Sequence, residues 1–279
     1  MRRTLSLTGL YGLLVVSIIS AAASVACDDD PKAKLLAKVE AGASATPAPN
    51  PVVPLIAPTV AATAATPKKK SDCSAQAASN EILFNDSNRA LEKEIHFKLQ
   101  RDAGAITKAD LLQIRSLNLT RYGKINALDP CIFPLMTNLK DLFIGEGDVD
   151  DLSPIANLTQ MESLRAALNK VTDLTPLEKL SRLDRLDISH TGVTDLKSLQ
   201  FLPNLTELMI DEDNVTDLGP VASCKKLEQL SIKKTPIKDV TPLRELKTLK
   251  KLWIEGSGVT DVSPIVPLKN GGLKILTTG

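Results

Sequence analysis

Six aspartates recur at a constant interval of 22 residues and form the most regular set of chemically active side chains in this sequence. They are Asp151, Asp173, Asp195, Asp217, Asp239 and Asp261. Repeated carboxylates could bind Ca²⁺, because that ion prefers oxygen ligands. However, each repeat supplies one acid beside a helix-starting position, where backbone N–H groups can satisfy a carboxylate. The spacing therefore predicts a capping role for the aspartates and no metal site.

Other residue types give little support for catalysis. The two histidines, His96 and His190, belong to distant parts of the chain. No Gly-rich phosphate loop follows a strand pattern, and no nucleophile elbow is present. The formal net charge of +1 provides no nucleic-acid footprint. We therefore expect no catalytic residue, no cofactor and no nucleic-acid partner.

Leucines share the 22-residue interval and indicate the architecture. One row consists of Leu142, Leu164, Leu186, Leu208, Leu230 and Leu252, and further apolar rows lie three and six residues earlier. The stretch 186–188 alternates as a strand with one buried face, whereas 193–202 indicates a turn and a short 3₁₀ or helical return. One unit cannot bury its own leucines. Stacked units therefore predict an α/β, right-handed solenoid with a parallel sheet on its concave side.

The repeat unit resembles the 22-residue class of bacterial leucine-rich repeat proteins represented by the internalins. Residues 174–196, LTPLEKLSRLDRLDISHTGVTDL, are similar to the consensus of that class, and residues 82–120 resemble the helical cap that opens internalin arrays. The resemblance implies a leucine-rich repeat fold and protein recognition. The consensus Asn position is occupied here by Gly147, Asn169, Thr191, Asp213, Thr235 and Ser257. The chain thus departs from Asn in all but one of these repeats, and most of the residues present can still hydrogen-bond a turn backbone.

The N-terminal cap, predicted at residues 81–116, shows helical patterns of its own. Apolar residues recur at helical spacing over 88–101, which predicts an amphipathic helix. Thr107 and Asp110 resemble a capping box that starts a second helix. We expect Leu112 of that helix to face inward together with its apolar neighbours.

The two ends of the solenoid, predicted at residues 117–279, depart from the regular interval. Leu117 precedes Leu142 by 25 residues, so the first coil is longer. Leu273 follows Leu252 by 21 residues, and we expect 273–275 to form the last strand with Leu273 in the buried row. We expect no separate domain after the repeats.

Three of the four cysteines are assigned by their places in this framework. Cys224 falls at a leucine position, so we expect a buried apolar role. Cys73 precedes the cap and Cys131 lies in the first coil, so a disulfide between them would join the two. The cysteine spacing matches no zinc site.

Residues one interval apart become neighbours on adjacent strands, so the outward rows of the sheet follow from the sequence. Two flanking rows alternate in charge, which predicts ion pairs between strands. The central row carries large apolar side chains, among them the only Trp of the chain, which is an unusual residue to place outside a core. Arg165 and Asp187 would either orient a partner or pair with each other. The predicted ligand-binding residues are Phe143, Arg165, Asp187, Met209 and Trp253.

The first 80 residues have a different composition. Arg2 and Arg3 precede an apolar run, and small residues follow up to Cys27, a pattern typical of a secretory signal. It resembles a bacterial lipoprotein signal, which implies lipid on Cys27, although cleavage by the ordinary signal peptidase fits the same residues. We assign residues 1–26 to the signal peptide and 27–80 to an extended Ala/Pro/Thr-rich linker. We therefore expect an exported protein of the bacterial cell envelope, lipid-anchored to a membrane on its periplasmic or outer side.

Two hypotheses from different classes follow. In the first, the solenoid is a monomeric module whose concave face binds a protein or an envelope polymer. In the second, it is a structural envelope lipoprotein without a dedicated ligand. The first is preferred because concave solenoid sheets are frequent binding surfaces. An enzyme ranks third, since no side chains converge on a reactive site.

Overall fold

A computed structural model describes residues 72–277 of this chain. The predicted signal peptide, Cys27 and most of the predicted linker lie outside the described residues. The described part contains four short α-helices, α1 Ser74–Ala78, α2 Arg89–Leu99, α3 Lys108–Leu111 and α4 Val266–Asn270. It also contains eight strands, β1 Ser116–Asn118, β2 Asp141–Phe143, β3 Ser163–Arg165, β4 Arg185–Asp187, β5 Glu207–Met209, β6 Gln229–Ser231, β7 Lys251–Trp253 and β8 Lys274–Leu276.

All eight strands lie in one parallel sheet, ordered as they occur in the chain. The register follows the repeat, because Leu142 lies opposite Leu164 and Leu164 opposite Leu186. These leucines are buried, while their neighbours at either side point away from the core. Parallel neighbours require a return segment across the other side of the core, and the repeat supplies it. The predicted leucine-rich repeat solenoid is confirmed.

The return segments contain short 3₁₀ helices, for example Thr175–Leu177 and Thr241–Leu243. Each of the six repeating aspartates accepts a hydrogen bond from the N–H two residues later, at 2.7–2.9 Å. That N–H belongs to the first residue of the 3₁₀ helix, where no intrahelical acceptor is available. The predicted capping role is therefore confirmed.

Short polar side chains at the consensus Asn position close the turn after several of the strands. The Oδ1 atom of Asn169 accepts from the Val149 N–H at 3.1 Å. The hydroxyl of Thr235 donates to the Ile232 carbonyl at 2.7 Å, and the hydroxyl of Ser257 repeats this one coil later. These bonds confirm that the turn tolerates the departures from Asn.

The N-terminal helices cover the first coil. Leu91 and Ile95 of α2 are buried in the same core as the solenoid leucines. Glu94, on the same face, is fully buried and accepts hydrogen bonds from the Asn118 N–H at 2.9 Å and the Tyr122 hydroxyl at 3.0 Å. The burial of this carboxylate was not predicted from the sequence. Its hydrogen bonds connect α2 to the end of β1.

The predicted disulfide is present between Cys73 and Cys131, across a sequence separation of 58 residues. It joins the residue before α1 to the irregular first coil. Cys224 is a buried free thiol, as expected for its leucine position. Burial raises the pKa of the Cys224 thiol to about 11, so the group stays protonated and unreactive near neutral pH.

Two local predictions are wrong. Leu112 is exposed, because α3 ends at Leu111 and the following residue turns away from the core. In the last coil Ile275, and not Leu273, lies opposite Leu252. The helix α4 and the turn at 271–272 lengthen this coil, so β8 begins at Lys274.

Candidate binding face on the concave sheet

The outward side of the sheet, called the concave face below, carries the central row predicted from the sequence. Strand register places Phe143 opposite Arg165, Asp187 opposite Met209, and Ser231 opposite Trp253. The leucine next to each of these residues is buried in the core, and alternation along a strand sends the neighbours to the other side. The row extends one strand further at each end, to Asn118 and Leu276.

Phe143 and Arg165 form the first contact within this row. The guanidinium carbon of Arg165 lies 5.5 Å from the centre of the Phe143 ring. A guanidinium held over an aromatic face is attracted by the ring quadrupole, and the stacking limits its motion. The two side chains line a cavity of about 410 Å³ on the concave face, together with Asn118, Ala167, Leu168 and Asp187.

Arg165 and Asp187 do not pair as one of the two sequence hypotheses proposed. No ion pair between them occurs within residues 72–277, and Asp187 instead accepts a hydrogen bond from the Ser189 N–H at 3.2 Å. The guanidinium of Arg185 bridges to the Asp141 carboxylate two strands away, at 3.6 Å. The positive group of Arg165 therefore faces the cavity without a carboxylate partner among the described residues.

Flanking rows contain the expected contacts between strands. Lys233 lies 3.3 Å from the Asp211 carboxylate, and the Gln229 amide donates to Glu207 at 2.9 Å. Such partly exposed pairs contribute little to stability, roughly 0–1 kcal/mol each. These contacts engage the polar side chains of Glu207 and Asp211, two residues to either side of Met209.

Trp253 occupies the other end of the central row. It is partly exposed, and the ammonium of Lys251 lies 5.9 Å from the centre of its ring. Both residues point to the same side because they are two positions apart on β7. Of the five predicted binding residues, Phe143, Arg165 and Asp187 thus share one cavity, whereas Met209 and Trp253 lie further along the row.

A column with left-handed backbone runs beside the sheet and was not foreseen from the sequence. Its non-glycine members, Leu168, His190, Glu212 and Lys234, have φ between 52° and 60°, and Gly256 has φ 64°. Residues other than glycine avoid this backbone region. The one glycine among the five equivalent positions, Gly256, was therefore the only sequence signal for a left-handed conformation there. Leu168 is about half exposed and extends the apolar surface of the Phe143 cavity.

Polar members of this column neutralise one another. The Nε2 atom of His190 lies 2.7 Å from Glu212, whose other oxygen lies 2.8 Å from the Lys234 ammonium. The hydrogen bond from Lys234 lowers the pKa of the Glu212 carboxyl below its usual range. No cluster of three or more His, Cys, Asp or Glu able to hold a metal ion occurs in the described part of the chain.

Comparison with known proteins gives structural matches only. No family model matches this sequence, and no curated protein matches it. An internalin (inlF) from Listeria monocytogenes has 25% identity and a TM-score of 0.62, over 70% of this chain and 58% of that one. This chain is an internalin-like leucine-rich repeat solenoid. It spans little more than half of that internalin.

Two further solved structures agree with this fold. Internalin C2 from Listeria monocytogenes has 25% identity and a TM-score of 0.55, over 72% of this chain and 100% of that one. A leucine-rich repeat protein from Leptospira interrogans has 21% identity and a TM-score of 0.56, over 62% of this chain and 44% of that one. Within residues 72–277, the structure has no helix long and apolar enough to cross a membrane.

Proposed function

We propose that the concave face of this solenoid binds a protein partner in the bacterial cell envelope. The observation that carries the proposal is the central row, in which Phe143, Met209 and Trp253 face outward from a sheet whose adjacent leucines are buried. Aromatic residues and Met are enriched at protein interfaces, and Arg165 adds a positioned cation. The likeness to internalin repeats supports a protein-interaction module.

We also propose that the chain is exported and anchored by lipid on Cys27, with the part of residues 27–80 that precedes the Cys73–Cys131 disulfide as the tether. Support comes from the residues before Cys27 and from the Ala/Pro/Thr-rich composition after it. Mass spectrometry of the mature protein tests this, since lipidation adds acyl mass to an N-terminal Cys27. An unmodified N-terminus, or cleavage at another position, would contradict it.

A structural envelope protein without a dedicated ligand is the second candidate. The observation in its favour is that Arg165 and Lys251 lie over the rings of Phe143 and Trp253. These two cationic side chains cover part of the aromatic surface that a partner would otherwise bury. In this alternative the cations and rings of the row contact only each other, and substituting them would leave the binding of the protein to other molecules unchanged.

Capture from the native envelope distinguishes the two candidates. The immobilised full chain is compared with Trp253→Ala, and Phe201→Ala is the matched control because Phe201 is exposed on a return segment away from the sheet. Truncating a central interface Trp typically costs about 2 kcal/mol or more. We expect Trp253→Ala to lose the captured protein and Phe201→Ala to retain it. Equal capture by all three proteins would favour the structural candidate.

A further inference from the structure

Formal charge is divided unevenly along the described solenoid. Residues 72–221 carry 15 Lys or Arg and 24 Asp or Glu, a formal charge of −9. Residues 222–277 carry 11 Lys or Arg and 5 Asp or Glu, a formal charge of +6. The net charge of the whole chain conceals this division. A solenoid keeps the order of the sequence in space, so the last coils present a positive surface.

Part of this positive charge lies on the concave face without compensation. Register places Lys251 of β7 opposite Lys274 of β8, and both side chains are exposed. Neither ammonium has a carboxylate within 4.0 Å among residues 72–277, whereas nearby Lys233 and Lys250 are paired with Asp211 and Glu228. Like charges on adjacent strands repel each other. The sheet therefore maintains an unfavourable pair at its end.

Apolar surface adjoins the two lysines. Trp253 lies next to Lys251 on the same face, and register places Leu276 opposite Trp253. Both apolar side chains are partly exposed. The outward positions of β6 to β8 and their continuations are 229, 231 and 233, then 251, 253 and 255, and then 274 and 276. Among them the only carboxylate is that of Glu255. The end of the row thus combines two cations with two apolar groups.

We propose that Lys251, Lys274 and Trp253 form one site for an acidic segment of a protein partner. Carboxylates of the segment would lie against the two ammonium groups, and an apolar side chain would cover Trp253 and Leu276. The inference rests on the proposed function and adds the chemistry of the partner. A polymer of phosphates alone would leave the apolar half of the site unused.

Defined peptides provide the test. The probe is a labelled peptide that alternates Glu with Leu and Phe, and its matched controls carry Gln or Lys in place of Glu. Fluorescence anisotropy measures binding to the full chain at low and at physiological ionic strength. We expect the Glu peptide to bind at least about tenfold more tightly than the Gln peptide, and salt to weaken it. Equal binding of the Glu and Gln peptides would overturn the proposal.

Matched charge reversals locate the site. Lys251→Glu with Lys274→Glu should weaken the Glu peptide at least about tenfold. Lys225→Glu with Lys226→Glu changes the formal charge by the same amount in the same segment, away from the sheet face, and should weaken it less than about threefold. Equal losses would show a diffuse field and overturn the site. Lys251→Gln with Lys274→Gln repeats the test without introducing repulsion.

Two further arms separate this inference from the proposed function. If Trp253→Ala abolishes capture of the envelope protein while the Lys251 and Lys274 reversal retains it, the acidic site is wrong and the concave-face function stands. Vesicles with phosphatidylglycerol provide the second arm. Binding of the chain to these vesicles, lost in the reversal variant and without any binding of the Glu peptide, would assign the lysines to a membrane surface and overturn the proposal.

Discussion

Asn169 and Asp213 occupy equivalent positions two coils apart, yet only Asn169 has partners for both of its polar side-chain atoms. The Asn169 amide donates to the carbonyls of Gly145, Ala166 and Ala167, and its oxygen accepts from Val149. Asp213 Oδ1 accepts from the Thr191 N–H at 2.8 Å, but its buried Oδ2 has no hydrogen-bond partner within the described residues. A carboxylate cannot donate, whereas an amide or a protonated carboxyl can.

This difference predicts a pH-dependent cost at Asp213. Burial raises the pKa of the Asp213 carboxyl to about 6, while an Asp in the unfolded chain titrates near 3.9. The folded state therefore keeps the Asp213 proton up to a higher pH than the unfolded chain does. The contribution of this group to stability falls as pH rises from about 4 to 6 and stays low above that. The loss is of order 3 kcal/mol.

Asp213→Asn should remove this cost. We expect the variant to be more stable than the parent by about 1–3 kcal/mol near pH 7.5, and the gain to shrink near pH 4.5. Urea unfolding at the two pH values measures the difference. The reciprocal variant Asn169→Asp should introduce the same pH-dependent penalty. A gain of equal size at both pH values would show that Asp213 does not titrate in this range.

The capping aspartates should respond to pH in the opposite sense. The hydrogen bond from the Lys197 N–H lowers the pKa of the Asp195 carboxyl below its usual range. Its contribution is therefore complete above the unfolded value near 3.9 and is lost as pH falls through the folded value. Asp195→Ala should cost about 1 kcal/mol near pH 7, and Asp195→Asn, which keeps an acceptor, should cost less. Equal losses for the two variants would exclude capping.

Reduction of the disulfide should destabilise the N-terminal end of the solenoid. The bond closes a loop of 58 residues, and its removal frees the unfolded chain at a cost of about 2–4 kcal/mol. We expect Cys73→Ala with Cys131→Ala to lower the midpoint of urea unfolding under oxidising conditions and to make it insensitive to dithiothreitol. Cys224→Ala, which affects no disulfide, should leave the sensitivity to dithiothreitol intact.

Repeat spacing was sufficient to predict the register of most of the sheet, because leucine burial and strand pairing repeat together. Leu117 opposite Leu142 agrees with the sequence even though that coil is longer. The last coil could not be predicted in the same way. Leu273 and Ile275 both fit an apolar row, and the choice depends on α4, whose length the interval does not specify.

The sequence predicted which residues form the central row of the concave face, but not which side chains in that row contact each other. Arg165 has an aromatic neighbour, Phe143, on one adjacent strand and an acidic neighbour, Asp187, on the other. The repeat interval does not indicate which of the two the guanidinium contacts. The structure selects Phe143, since the guanidinium lies over its ring. Long flexible side chains choose partners by local geometry, which a one-dimensional interval does not contain.

The left-handed column offers a stability test that uses one coil as the control for another. Leu168 has φ 60° in this column, where a Cβ costs about 1–2 kcal/mol, although glycine also loses more entropy on folding. We expect Leu168→Gly to stabilise the protein by roughly 0.5–1 kcal/mol. Gly256→Ala, at the equivalent place with φ 64°, should destabilise it by about 1 kcal/mol. Thermal unfolding of the two variants should therefore shift in opposite directions.

Trp253 permits a direct test of the face assignment, because it is the only Trp of the chain and its emission reports one site. A partly exposed indole beside the Lys251 ammonium should be quenched by iodide and by acrylamide in the folded protein, and iodide should be favoured by the local positive charge. Lys251→Glu should reduce quenching by iodide and leave quenching by neutral acrylamide nearly unchanged. Trp253→Ala should leave the melting temperature within about 2 °C of the parent, because the ring contributes little to the core. A fully protected indole, or a variant that unfolds, would place Trp253 in the core and require the binding face to be sought elsewhere on the solenoid.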